Sequence, residues 1–272
     1  MISKKRGIFT KKKLVLALGG GAARGLCNLG VLKAIERHFG RDKFPFDLVI
    51  GTSIGSLVGG AYCAGLPLEE LEQKALKFTW PNLVDFALHP TGFIKGDKLE
   101  TLITELVGGK RFEDLKIPFA LTTTDLQNGE ELIHTSGDLV RLVRASCSWP
   151  GFFSSVDVDG RMLVDGGLRN SVPTKAAYLL GGTFVVAVNP GFAISSEKID
   201  NAFKALAQSI QIMGEELNAY QAYAADLAIC PEIKNVDQFG FDKSEYIMKQ
   251  GDIAAEAVME KLKRKLMIRR II

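Results

Sequence analysis

The chain has 272 residues, 47% of them hydrophobic, enough to bury one large core in a single α/β domain. A formal net charge of +3 is too small to mark a nucleic-acid partner, and no run approaches the roughly 18–20 apolar residues that span a bilayer. Four scattered cysteines (Cys27, Cys63, Cys147, Cys230) and three histidines (His38, His89, His134) lack the spacing of a metal or redox site, so no metal is expected and the cysteines should be reduced and mostly buried, as in a cytoplasmic protein.

In chain order, residues 1–13 form a basic tail carrying Lys4, Lys5, Arg6, Lys11, Lys12 and Lys13. The other end is basic too, through Lys261, Lys263, Arg264, Lys265, Arg269 and Arg270. Two readings fit: solvated ends, or peripheral contact with an anionic membrane worth about 1 kcal/mol per basic residue near the surface. The apolar run Leu14–Leu18 is too short for a signal peptide and stops at Gly19-Gly20-Gly21.

Leu14–Leu18 and Phe46–Ile50 are short apolar runs bounded by glycine and proline, which predicts buried parallel strands. Between them Leu29, Leu32, Ile35 and Phe39 carry helical spacing. Helices are predicted over 53–64 and 68–78, a strand over 119–125 and a helix over 139–145. Val156–Val158 and Met162–Val164 around Asp159-Gly160 predict a hairpin, and Thr183–Val188 a further strand. From Asn201 onward, Phe203, Leu206, Ile210, Met213, Leu217 and Tyr220 form one apolar stripe, which is expected to pack into the core. Residues 79–97 are irregular and read either as a lid or as a poorly periodic core segment. The alternation predicts an α/β fold with a mostly parallel central sheet, in one domain over residues 14–265.

The chemistry gathers at three glycine-rich places. Gly51-Thr52-Ser53-Ile54-Gly55 follows a predicted strand and opens a predicted helix, the setting that makes Gly-x-Ser-x-Gly a nucleophile elbow. Chance alone yields roughly 0.14 such matches in a chain of this composition, so the setting matters more than the pattern. The competing reading is a helix start that Ser53 merely caps. A serine hydroxyl needs a base, usually histidine. No histidine follows His134, so the order Ser, acid, His is ruled out. Asp165 in Asp165-Gly166-Gly167 is the best candidate base, provided that desolvation raises its proton affinity, although Asp-Gly-Gly is also an ordinary turn.

Gly19-Gly20-Gly21-Ala22-Ala23-Arg24-Gly25 joins the first strand to the first helix, where backbone amides stabilise negative charge. In an acyl-transfer enzyme this is the place for an oxyanion hole. A dinucleotide-binding loop competes, but Arg24 stands where its third glycine belongs.

Together, Gly19–Gly25, Gly51–Gly55 and Asp165–Gly167, with Arg144–Gly151 ahead of the Asp-Gly pair, resemble the patatin-like phospholipase family from about Leu14 to Val188. The resemblance implies a three-layer sandwich related to the α/β-hydrolases. It implies a Ser-Asp dyad with Ser53 as nucleophile and Asp165 as base, flanked by Gly166 and Gly167. The oxyanion hole would come from Gly19, Gly20, Gly21, Ala22, Arg24 and Gly25. No cofactor is implied, and the substrates would be lipid or other acyl esters. The glycine loop has one residue more than the plant form, as in similar bacterial members, which leaves two registers, one position apart, for the amides that face the oxyanion. Arg24 then either orients an anionic head group or only marks the helix start. Two alternatives remain at this level: an NADP-binding oxidoreductase using the glycine loop, and a catalytically silent regulatory protein on the same fold.

Overall fold

A computed structural model describes residues 12–191, 199–236 and 239–268. The chain runs β1 (Leu14–Leu18), a 3-10 turn (Ala22–Leu26), α1 (Cys27–Phe39), β2 (Leu48–Thr52), α2 (Ile54–Cys63), α3 (Leu68–Ala75) and the short α4 (Trp80–Leu83). It continues through β3 (Phe86–His89), β4 (Gly92–Ile94), α5 (Asp97–Val107), β5 (Phe119–Asp125), β6 (Glu131–His134), α6 (Leu139–Ser146) and β7 (Gly151–Phe153). The hairpin β8 (Val156–Val158) and β9 (Arg161–Asp165) leads to α7 (Gly167–Asn170), α8 (Thr174–Leu179), β10 (Phe184–Val188), α9 (Ala202–Tyr223), β11 (Leu227–Ile229) and α10 (Ser244–Ile268).

Successive side chains of a strand point to opposite faces, so a strand that is apolar throughout needs cover on both sides. In β1, Leu14, Leu16 and Leu18 pack into a leucine-rich core with α1, α2 and α10. Val15 and Ala17 join a smaller, alanine-rich core with Ala176 and Ala177 of α8 and Ala222 of α9. Helices thus cover both faces of the central sheet, giving a three-layer α/β sandwich. Where α10 crosses α1, a Cβ on Gly30 would lie 1.9 Å from the Met248 carbonyl oxygen, and one on Gly251 would lie 2.0 Å from that of Cys27. The two backbones meet there with nothing between them.

The sheet order is β11-β10-β1-β2-β5-β9-β8, with β6 also paired to β5, and the pairings from β11 through β5 are all parallel. A second, three-stranded sheet has the order β3-β4-β7. The register on β5 locates the site. Leu121 and Thr122 pair with both β2 and β6, while Thr123 and Thr124 pair with both β6 and β9. Hence β6 takes one edge of β5, and β2 and β9 share the other, running toward each other. The carboxyl end of β2, at Thr52, meets the end of β9, at Asp165, across neighbouring residues of β5. The hairpin turn before β9 has positive φ at both Asp159 (54°) and Gly160 (76°), the geometry that pair of residues favours.

Candidate active site

The turn between β2 and α2 holds Ser53 at φ 53° and ψ −130°, a conformation costly for a residue with a side chain. Both backbone groups are fastened. The Ser53 amide donates to Ser146 Oγ (2.9 Å), and its carbonyl accepts from the Ser56 amide (2.7 Å) and hydroxyl (2.6 Å). A Cβ on Gly51 would lie 2.4 Å from the Gly55 carbonyl oxygen, and one on Gly55 would lie 2.2 Å from that of Leu18, so neither glycine of the elbow tolerates a side chain. Thr52, buried beneath the turn, donates to the Asn170 carbonyl (2.8 Å) and shares a hydroxyl contact with Thr122 (2.7 Å). Ile54 opens α2 and packs against Gly25, where a Cβ would come within 1.7 Å of it.

Asp165 is buried, with its amide bonded to the Ser148 carbonyl (2.9 Å) and its Oδ1 accepting from the Gly167 amide (2.7 Å). A Cβ on the intervening Gly166 would sit 2.4 Å from Thr122 Oγ1, so the chain turns here only without a side chain. Burial pushes the Asp165 carboxyl up to about 6, while hydrogen bonds from the Ser53 side chain and the Gly167 amide pull the other way. That is a stronger base than an ordinary carboxylate, and still ionised near neutral pH. The described histidine side chains are engaged elsewhere. His134 contacts Thr123 Oγ1 (2.7 Å) and burial lowers its pKa to about 4; His38 pairs with Glu256 (2.7 Å).

The glycine loop lies beside Ser53: a Cβ on Gly20 would stand 3.0 Å from that of the serine. Gly19 donates to the Val188 carbonyl (3.0 Å), Gly20 to that of Ser171 (2.8 Å), and the Arg24 amide to that of Gly21 (3.1 Å). Gly21 and Ala22, both at positive φ, line the cavity beside Ser53. Gly20 lines the cavity as well. Of the two readings of Arg24, the geometry fits its place at the helix start. Its guanidinium is buried and donates to the carbonyls of Pro190 (3.2 Å), Gly191 (3.1 Å), Ile233 (3.0 Å) and Val236 (2.8 Å), which turns it away from any head group. With the Gly19 and Gly20 amides bonded to carbonyls, the loop also lacks the open cradle that a pyrophosphate needs.

Ser53 and Asp165 open on a cavity of about 610 Å³ with largely apolar walls. Trp149 and Phe152 stack at 4.6 Å between ring centres, and Phe239 lies 5.5 Å from Phe152. Trp80 and Leu83 complete that side, and the Trp80 Nε1 donates to the Phe239 carbonyl (3.0 Å). Of residues 79–97, Trp80 and Leu83 thus supply cavity wall. Their far end is fastened by the buried Arg144, which donates to the carbonyls of Lys95 (2.6 Å) and Gly96 (3.1 Å).

The stripe on α9 departs from its expected place in the core. Ile210, Met213, Leu217 and Tyr220 line the cavity, as do Gln211 and Glu216, while the helix buries Gln211, Asn218 and Ala222; the Phe203 side chain lies outside the described residues. Ser146, inside the Arg144–Gly151 segment, was not singled out by sequence, and Ser171 was not noted at all; they flank Ser53 and Gly20. Among the cysteines, Cys27 and Cys63 are buried, Cys147 is half-buried and faces the cavity, and Cys230 is exposed. Of the basic ends, residues 1–11 and Arg269–Arg270 lie outside the described residues. Lys263 pairs with Glu260 (2.9 Å), and Lys265 donates to the Asp226 carbonyl. No helix of the described residues is long and apolar enough to cross a membrane.

The family model for patatin-like phospholipase matches residues 16–178. Lysophospholipase NTE1 of Scheffersomyces stipitis is 34% identical over 192 residues, covering 68% of this chain and 12% of the relative. Neuropathy target esterase sws of Drosophila melanogaster is 34% identical over 190 residues, covering 67% and 13%. The chain therefore spans a small part of the length of these relatives. Among solved structures, VipD from Legionella pneumophila superposes with a TM-score of 0.63 at 12% identity, covering 92% of this chain and 67% of that one, a likeness of fold.

Proposed function

The chain belongs to the patatin-like phospholipase family, and from that premise we propose that it hydrolyses lipid acyl esters through a Ser53–Asp165 dyad and an acyl-enzyme. The observation that carries this reading is the meeting of β2 and β9 on one edge of β5, which sets the Ser53 hydroxyl against a desolvated carboxylate at one wall of an apolar cavity. The cavity suits an acyl chain, and lipid or another acyl ester is the substrate class that such walls accept.

In this account Asp165 takes the hydroxyl proton as Ser53 attacks the ester carbonyl. The developing oxyanion is met by the amides of Gly21 and Ala22. The proton held on Asp165 passes to the departing alcohol, and Asp165 then activates a water that releases the acid and restores Ser53. No cofactor enters these steps.

The test is turnover of a short-chain p-nitrophenyl ester. Ser53→Ala and Asp165→Asn should each lose about 10³-fold or more in kcat, because the two act as a unit. In the unaltered protein kcat/KM should rise with pH through about 6, as the buried carboxyl ionises. Retention of full activity in Ser53→Ala would overturn the assignment. Peripheral membrane contact belongs to the same proposal, since the substrate of such a site resides in membranes.

A further inference from the structure

Helix α9 is inside out. An amphipathic helix ordinarily buries its apolar face, yet here Gln211 is 2% exposed and Asn218 fully buried, while Leu206 (63%), Met213 (73%), Tyr220 (68%) and Tyr223 (84%) stand in solvent. The Gln211 side-chain oxygen and both polar atoms of the Asn218 side chain find no partner beneath. Near its end the helix is fastened to the body: Gln221 bonds to the Val172 amide (2.9 Å) and the Arg169 carbonyl (2.9 Å), and Ala222 packs into the alanine-rich core. The rest of α9 stands beside the mouth of the cavity.

We infer that the outer face of α9 docks on a lipid surface and leads acyl chains from it into the Ser53 cavity. The inference rests on the acyl-hydrolase reading for its cargo. An exposed apolar stripe of this length marks an interaction surface, and continuity with the cavity identifies the partner. Met213 and Tyr220 belong to both the exposed stripe and the cavity lining, with Leu217 between them, so an acyl chain leaving a bilayer at α9 has apolar side chains to follow into the cavity beside the polar Gln211 and Glu216. A second copy of the chain seated on the same stripe would close that route. Tyr220 and Tyr223, each with an apolar ring and a polar tip, suit the level of lipid head groups. The exposed Glu215 and Glu216 on the same helix give the face no attraction for anionic lipid. The docking is therefore apolar, and distinct from attraction through the basic ends.

The test is flotation of the full chain with phosphatidylcholine vesicles at about 0.15 M and 0.5 M salt, beside a Leu206→Ser/Ile212→Ser/Tyr223→Ser variant whose altered side chains lie outside the cavity lining. The unaltered protein should float at both salts. The variant should lose about tenfold or more in bound fraction and in hydrolysis of vesicle lipid, while its turnover of a soluble short-chain ester stays within about twofold. Failure of the unaltered protein to float, or equal flotation of the variant, overturns the docking. So does a dimer in sedimentation that the variant dissociates, which would give the face to a second copy. Flotation that the variant abolishes, in a protein that hydrolyses no ester, would uphold the docking and remove the hydrolase reading instead.

Discussion

Ser53 is held in its turn by bonds to both sides of its peptide, and one of them comes from Ser146, 93 residues later in the chain. The elbow glycines were legible because they stand in a short pattern around Ser53, although the steric need of Gly55 is set by the distant Leu18 carbonyl; the bond from Ser146 was not, because only tertiary structure brings it there. Asp165 was legible through its glycines, and its environment gives it a second measurable property. Its folded-state pKa of about 6 lies above the ordinary 3.8, so the fold binds the proton more tightly than the unfolded chain does. The resulting stabilisation is present below the unfolded value and is lost as pH rises through about 6; at pH 8 the ionised Asp165 weighs against folding. Asp165→Asn should therefore raise stability by about 1–3 kcal/mol at pH 8, with the difference vanishing toward pH 4, as read by denaturant titration at both pH values. An Asn variant less stable at pH 8 would mean that the burial cost is offset by bonds that the amide cannot make.

At the scale of elements, β1, α1 and β2 stand within two residues of their expected positions, because glycine and proline punctuate them and their periodicities are clean. Helix α9 has the expected extent but the opposite sense. Periodicity reports that one face is apolar; it does not report whether that face meets core or cavity, and Gln211 and Asn218 on the inner side gave no warning. Helix α10 was missed because its contact with α1 is made through Gly251 and Ala255 as much as through Met248 and Met259, which dilutes the apolar signal. That contact makes a prediction. Gly251→Ala would force the helices apart against the Cys27 carbonyl, and should cost about 1–3 kcal/mol in urea unfolding despite alanine's better helix propensity. A neutral or stabilising result would show that α10 is free to shift.

For the whole molecule, the α/β class with a mostly parallel sheet followed from the alternation of runs, whereas the strand order did not. The decisive arrangement, β2 and β9 converging along β5, joins residues far apart in sequence, and no run of the chain announces it. In the proposed mechanism the same arrangement lets an aspartate serve where histidine is usual: β9 ends beside the elbow, and Asp165 needs no longer side chain to reach Ser53. The most direct measurement is covalent labelling with a fluorophosphonate probe followed by mass mapping, on the unaltered chain and on Ser53→Ala and Asp165→Asn. The account predicts a single adduct on Ser53 that both substitutions abolish. A folded protein that takes no label, or takes it on another serine, would contradict it.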